Sequence, residues 1–473
     1  MARRSLLFNS SVYVIGQFVS KALAFVLLFV YARFLQEEDF GVTGTLSAYG
    51  AVLGTIFVLG LHGSVSRQYF DLKNDPAELR SYLTSVYAFQ IAFSVALVMS
   101  LELFGGPLWE RYTSGAIPFS YVRLALWATF LTMLVQIPLT LYQSEERAQM
   151  LVGWQLLQGA LAVGVGFVFV GWLRERALGV LRSQVVAAAI VALPIGALFV
   201  RNYGSRVLRW RHVRAALVYG LPLLPHSIGT ILMQTVDRIM LEKYVPQGEL
   251  GRYSIGMTLG MVLGMIAGGV NQAWSPHFFR TSSEEKPEEA RHKAEVFASL
   301  FVAMFTVLGL VGALLGNELI LVLGAKYRPV VPYLVPFVIG NLIGIYYYLP
   351  ANQLLLASKT FVFIVATGVA TLVSIGLNLW FLPRGYGGMA AAWIFVAGIS
   401  VQTGIIMLAA RFTQKSLLGV RHAAVFALAV AALVASRYGL SLPYRAALLV
   451  ACCLATYALL VRANWRYVLP PRA

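Results

Sequence analysis

Charge is scarce in this chain. Asp, Glu, Lys and Arg together make up 12% of its 473 residues. A water-soluble domain needs roughly a quarter of its residues charged to keep its surface wet. With 59% hydrophobic residues, the outer surface must be largely apolar, so the solvent is lipid. Cysteine is almost missing too. Cys452 and Cys453 are adjacent within an apolar run. Neighbours on a helix point about 100° apart, so the pair does not bridge and sets up neither a disulfide framework nor a metal site. No HExxH, no GxSxG and no phosphate-cradling GK[ST] loop occurs, so the sequence carries no signature of zinc hydrolysis, acyl transfer or an ATPase of its own. No cofactor is expected, and the reading is of a protein that is not an enzyme.

Acids are rarer than bases, 20 against 37, giving a formal net charge of +17. The basic residues form no groove or tail that would grip nucleic acid. They lie between apolar runs, which is the positive-inside pattern of a membrane protein.

What the chain does have is a long series of such runs. A membrane helix needs about 20 apolar residues. On that criterion the spans are about Asn9–Tyr31, Gly41–Leu61, Tyr82–Leu103, Tyr121–Leu141, Leu151–Leu173, Leu178–Val200, Ala215–Leu241, Gly251–Ala273, Ala294–Leu315, Tyr333–Leu356, Phe361–Leu382 and Met389–Ala409. A weaker pair follows at His422–Ser436 and Tyr444–Val461. The expected fold is therefore an all-α polytopic membrane protein of about fourteen transmembrane helices. The first run is too long for a signal-peptide core and is read as a span that starts in the cytoplasm. Alternating from there puts Arg201, Arg206, Arg209, Arg211 and Arg214 inside, with Arg291, Arg411, Arg421 and Arg462. Far fewer bases fall outside, so both termini are expected in the cytoplasm.

An internal repeat is also legible. Gly41, Gly50, Val52, Leu53 and Gly54 run in step with Gly251, Gly260, Val262, Leu263 and Gly264. Six spans separate the two copies, which would give them the same orientation, as in parallel-repeat transporters. The expected organisation is an N-lobe over 1–200, a basic linker over 201–214, a C-lobe over 215–409 and an appended helix pair with tail over 410–473.

Ionisable groups inside lipid are expensive and mark function or structural ties. Tyr13, Gln17 and Lys21 recur every four residues, on one face of the first span. Arg123, Arg182, Arg238 and Arg252 fall near the expected outer ends of their spans. They are either snorkelling anchors or the lining of an outward-facing cationic cavity. Asp237 is the one carboxylate placed clearly within a span, beside Arg238 and beyond Pro222 and Pro225, which predict a bent or broken helix. It is the candidate for ion coupling. Asn271, Gln272, Asn352, Gln353 and Asn378 are read as interhelical glue.

The YARFLQEEDFG segment at Tyr31–Gly41, VYGLPLLP at Val218–Pro225, DRIML at Asp237–Leu241 and ELGRYS at Glu249–Ser254 resemble the oligosaccharide flippases. These are Wzx- or RfbX-like polysaccharide biosynthesis proteins of the MOP exporter superfamily. The same segments are similar, less closely, to lipid II flippases and MATE drug antiporters. The resemblance implies translocation of an undecaprenyl-diphosphate-linked oligosaccharide by alternating access across a bacterial plasma membrane, for polysaccharide, O-antigen or lipopolysaccharide synthesis. It implies membrane lipids and other glycan-assembly proteins as partners. Lys21, Arg238 and Arg123 are the first candidates to receive the anionic diphosphate, on depth and helix face. A MATE-type cation antiporter and a lipid II flippase are the alternatives. A membrane polymerase would need acidic residues in a large outer loop, and Glu110 and Glu318 stand alone in the short segments Phe104–Ser120 and Gly316–Pro332.

Overall fold

The computed structural model describes residues 26–413, 416–436 and 440–462, together with Val19, Leu23 and Asn464. Within them every regular element is a helix. Eleven helices are long and apolar enough to cross a bilayer, twelve if one bent pair counts as a single span. Val420–Ala435 is a shorter apolar helix. Most of the first expected span, including Tyr13, Gln17 and Lys21, lies outside the described residues. By contact the chain divides into two compact units, Met1–Gly251 and Arg252–Ala473.

In the first unit, residues 26–34 are helical, then α1 (Glu37–Val58) begins. The Asp39 carboxylate accepts the Gln36 amide at 2.9 Å, closing the first turn of α1, and acids there suit the positive end of the helix dipole. Leu59 and Gly60 take left-handed φ of 52° and 71° and break the span before α2 (Leu61–Leu72). There follow α3 (Pro76–Tyr112), α4 (Phe119–Leu134), α5 (Gln136–Ser144), α6 (Ala148–Gly166), α7 (Arg176–Tyr203), α8 (Trp210–Gly220) and α9 (Leu224–Tyr244). The prolines do what the sequence predicts: α8 and α9 are joined by a 3-10 turn at Leu221–Leu223 and bend by 49°. Several helices outrun the expected spans. The apolar count sees only the hydrocarbon, whereas helices continue into the headgroup layer. Thus α3 absorbs much of the segment read as an outer loop.

The basic linker is not a loop lying free on headgroups. Ser81 donates to the Val207 carbonyl at 2.9 Å, Thr84 to the Tyr203 carbonyl at 3.1 Å, and the Arg209 amide donates to Ser85 at 3.0 Å. Glu78, in the first turn of α3, receives Arg209 and Arg211 and has His212 at 3.5 Å. The linker is thereby stitched along α3, and the boundary between units falls later, at Gly251.

The second unit contains most of α10 (Gln247–Glu284), then α11 (Pro287–Leu314), α12 (Val331–Leu356), α13 (Phe361–Phe381), α14 (Gly387–Arg411), α15 (Val420–Ala435) and α16 (Leu442–Thr456). The Ser282–Glu295 segment is helical on both sides of a break, with Pro287 at the first helical position of α11. Arg445 holds α16 in place. Its guanidinium donates to Glu318 at 2.8 and 3.1 Å and to the Leu314 carbonyl at 2.8 Å. Glu318 is thus a structural partner. Asn352 donates to Asn271 at 2.9 Å and accepts from Ser275 at 2.7 Å, joining α12 to α10. Cys452 and Cys453 are both free thiols.

Glycines set the helix separations. In lipid the hydrophobic effect does not drive helices together, so close backbone approach by small residues has to. On α10, Gly256, Gly260, Gly264 and Gly268 recur every four residues against α12. A Cβ added at each would stand 2.7 Å from Tyr333, 2.4 Å from Phe337, 2.3 Å from Asn341 and 3.1 Å from Tyr348. In the first unit, Gly50 and Gly54 of α1 meet Thr129 and Met133 of α4 in the same manner, at 2.8 and 3.2 Å. Gly60 and Gly220 each bring backbone against backbone, at 2.6 and 2.5 Å.

A side chain at Gly260 has to push Phe337 or the helix axis aside. Gly260→Val is expected to lose about 1–3 kcal/mol, as overpacking does. Gly368→Ala, which meets nothing within 4 Å, should be neutral or slightly stabilising. Thermal unfolding of the detergent-purified variants checks both, and equal melting of the two would refute the packing argument.

Candidate functional site

Two features of the first unit stand out as polar surface that the fold itself does not use. The first is a cavity of about 320 Å³ enclosed by α1, α4, α6 and α7, the lower end of the size range of small-molecule sites. Its polar lining is Ser47, Thr129, Thr132, Gln158 and Gln184, and Gly50 keeps its wall thin. Thr129 and Thr132 spend their hydroxyl protons on the carbonyls of Ala125 and Ala128, each at 2.8 Å. That leaves oxygen lone pairs as acceptors. Ser47, Gln158 and Gln184 make no hydrogen bond within the described residues. A carboxamide among membrane helices needs a partner, so these three groups are available to water or to a ligand. No charged residue lines the cavity.

The second feature is a stripe on α9. Ser227, Thr230, Gln234 and Arg238 follow one another at three- and four-residue steps, which places them on one face. Arg238 donates from its guanidinium to the Gln234 carbonyl at 3.2 Å. No carboxylate lies within ion-pair range of it among the described residues, and its Nε is shielded without an acceptor. Its neighbour Asp237 is buried, with its carboxylate accepting the Arg238 amide at 2.8 Å. Arg and Asp side chains one residue apart point in different directions around the helix, so Arg238 presents its charge on the polar face.

The other arginines named from the sequence stand differently. Arg123 is ion-paired with Glu102, whose other oxygen accepts Trp127 Nε1 at 2.9 Å. Arg182 pairs with Glu175. Both charges are compensated within the unit. Arg252 belongs to the second unit and is half-buried. Arg67, which is not among those site candidates, lies over the Tyr219 ring, 5.5 Å from its centroid. The described structure thus brings Arg123 and Arg182 into ion pairs with carboxylates, whereas Arg238 makes no such pair among the described residues and feels only the adjacent Asp237 charge.

Sequence reasoning missed two carboxylates inside membrane helices. Glu102 was passed over at the end of its apolar run. Glu242 is almost wholly buried and accepts from the Ser114 amide and hydroxyl, the latter at 2.5 Å. It was hidden because its run ended one residue earlier, at Leu241. The cavity glutamines gave no signal either, since each lies in a different span. Only their shared height in the bundle reveals them.

Within the described residues, the fold is that of a polytopic all-helical membrane protein with a polar-lined cavity. Its fold is that of the MOP superfamily. It superposes on the lipid II flippase MurJ in an inward closed conformation, with TM-score 0.74 at 13% identity over 96% of this chain and 99% of that one. A MATE family multidrug resistance transporter in an inward-facing conformation gives TM-score 0.66 at 15% identity, covering 84% and 97%. In sequence, the Lsg locus putative protein 1 of Haemophilus influenzae is 22% identical over 365 residues, 74% of this chain and 85% of that protein. Residues 6–282 match the family described as polysaccharide biosynthesis protein. The chain belongs to that family, and it is a multi-pass membrane protein with a MOP-like fold.

Filling the cavity is the direct test of its use. Ala51, on its wall, is only half-buried, so Ala51→Phe can project into the space. Transport is expected to fall about tenfold, ~1.4 kcal/mol, with membrane abundance unchanged. Full activity in this variant would remove the cavity from the transport route.

Proposed function

We propose that the protein flips an undecaprenyl-diphosphate-linked oligosaccharide from the inner to the outer leaflet of a bacterial plasma membrane, supplying polysaccharide or O-antigen assembly. The observation that carries this reading is Arg238, a guanidinium on the polar face of α9 that makes no direct ion pair among the described residues. A diphosphate needs such a cation at a depth where its lipid tail can remain in the bilayer. The hydroxyl- and amide-lined cavity offers neutral hydrogen-bonding groups of the kind that sugar hydroxyls satisfy. Lys21, on the first span, is proposed as a second anion ligand. The two sequence repeats are read as lobes that rock about the site by alternating access, with both termini cytoplasmic.

A cation-coupled drug antiporter is the rival reading, and the acids of the first unit speak against it. Asp39 is held by Arg176 at 3.0 Å, Glu102 by Arg123 and Trp127, and Glu242 by Ser114. A cationic drug would have to displace an internal donor from each.

Translocation of a lipid-diphosphate oligosaccharide in proteoliposomes tests the proposal. Arg238→Ala should lower the rate at least about tenfold, as loss of a charge-assisted contact of 1.5–3 kcal/mol does. Arg238→Lys should keep part of it, and Arg123→Ala should have a smaller effect. Export of cationic dyes with no movement of any diphosphate lipid would overturn the flippase reading in favour of the antiporter.

A further inference from the structure

At one end of the second unit lies a cavity of about 510 Å³ that the transport reading does not use. It is formed by α11, the Ser416–Gly419 turn, the start of α15 and the end of the last helix. The charge bias of the sequence assigns this end to the cytoplasm, since Arg411, Arg421 and Arg462 gather there. Its walls are fixed from within. Arg291 is held by Glu295 at 2.7 Å and donates to the Ser416 carbonyl at 3.3 Å. The Gly419 amide donates to His422 Nδ1 at 3.1 Å, which makes that nitrogen the acceptor and leaves any ring proton on Nε2, 3.3 Å from Ser299 Oγ. Tyr346 donates to the His422 carbonyl at 2.8 Å. The last helix widens into a π turn at Tyr457–Val461, and Leu459 and Leu460 from that turn line the same cavity.

One cation in this frame has no task. Arg421 is exposed and makes no ion pair or hydrogen bond among the described residues. It stands in the first turn of α15, where the His422 and Ala423 amides turn back to the Gly419 carbonyl at 3.1 and 3.3 Å and leave those of Val420 and Arg421 without an acceptor among the described residues. Arg291 is balanced by Glu295, the one acid on the wall, so Arg421 supplies the net positive charge of the site. Beside Arg421, Val420 is 86% exposed. An aliphatic side chain projecting next to a guanidinium at a helix end suits a boundary where headgroups meet acyl chains.

We propose that this cavity is a docking site for the phosphate of an anionic phospholipid of the inner leaflet, such as phosphatidylglycerol. Arg421 and the Val420 and Arg421 amides face the phosphate, with the Arg291–Glu295 pair behind them. Val420, Leu459 and Leu460 meet the glycerol and the first acyl carbons. Basic pockets between membrane helices on the cytoplasmic side recognise anionic headgroups in this way. The charge balance separates lipid classes. With one acid on the wall, already committed to Arg291, the ammonium of a zwitterionic lipid finds no counter-ion. The site lies within one unit and is independent of the substrate proposed above.

Native mass spectrometry of the full-length protein, titrated with phosphatidylglycerol or phosphatidylcholine, tests the assignment. Wild type should hold phosphatidylglycerol about fivefold more tightly than phosphatidylcholine. Arg421→Gln should abolish that preference and Arg421→Lys should retain part of it. Arg328→Gln, an exposed charge in the segment before α12, should leave it intact. Equal binding of both lipids by wild type, or an unchanged preference in Arg421→Gln, would overturn the site. Millimolar inorganic phosphate that displaces phosphatidylglycerol would identify a free-phosphate site and overturn the lipid assignment. Should Arg421→Gln fail to fold, the wild-type preference and the phosphate competition still decide.

Discussion

The close approach of helix backbones at glycine is the constraint on which the rest depends. Lipid tails are as apolar as leucine, so burying leucine against leucine gains little in a bilayer. What remains is van der Waals contact at short range, and that requires the side chain to be removed. Gly256, Gly260, Gly264 and Gly268 do this along α10 and α12. Gly50 and Gly54 do it along α1 and α4. The four-residue spacing is the same in both units, and so is the spacing of what they touch: Thr129 and Met133 in one, Phe337 and Asn341 in the other. The positions aligned by the repeat therefore share a physical task. At the opening turns of α1 and α10 the arrangement becomes reciprocal. Gly41 faces the Gln247 carbonyl and Gly251 faces that of Glu37, each carbonyl belonging to the residue four before the other glycine.

Once separations are fixed by glycine, the polar residues can be sorted by whether the fold consumes them. Asp39, Glu78, Glu102, Glu242 and Glu318 all have internal donors. They tie loops and helix ends, and an unpaired charge in their place would be costly. The groups left over are few. Ser47, Gln158, Gln184, Arg238 and Arg421 are not needed to close the structure. A lipid-embedded protein that keeps such groups unsatisfied carries a standing penalty, and a bound ligand or water relieves it.

Much of this was legible in the sequence because membrane folding obeys a coarse rule. Apolar length sets the spans, and Pro222 and Pro225 marked the bend between α8 and α9. Gly41 and Gly251 were visible as a repeat, although their contact was not. The rest lay beyond reach for a physical reason. Whether an arginine is a site or a tie depends on a carboxylate far along the chain, as with Arg123 and Glu102 or Arg445 and Glu318. Helix ends escaped the apolar count, which concealed Glu242. The 201–214 segment reads as a plain basic linker because its charges are local, whereas Ser81, Thr84 and Ser85, which bind it, look like ordinary helix residues.

The distribution of leftover groups also constrains how an amphiphilic anion would be handled. Neutral hydroxyls and amides in the α1–α4–α6–α7 cavity would suit sugar-like groups without demanding a charge of them. A single guanidinium on α9 gives a diphosphate one strong contact. Carriage across a bilayer favours that economy. A cavity crowded with arginines would hold a diphosphate too tightly to release it, because each desolvated charge-assisted bond adds about 1.5–3 kcal/mol. Arg123 and Arg182, neutralised by Glu102 and Glu175, keep the local field from becoming a trap. If the protein carries such an anion, the paired arginines would act through the carboxylates that neutralise them, and Arg238 through its freedom from a direct ion pair.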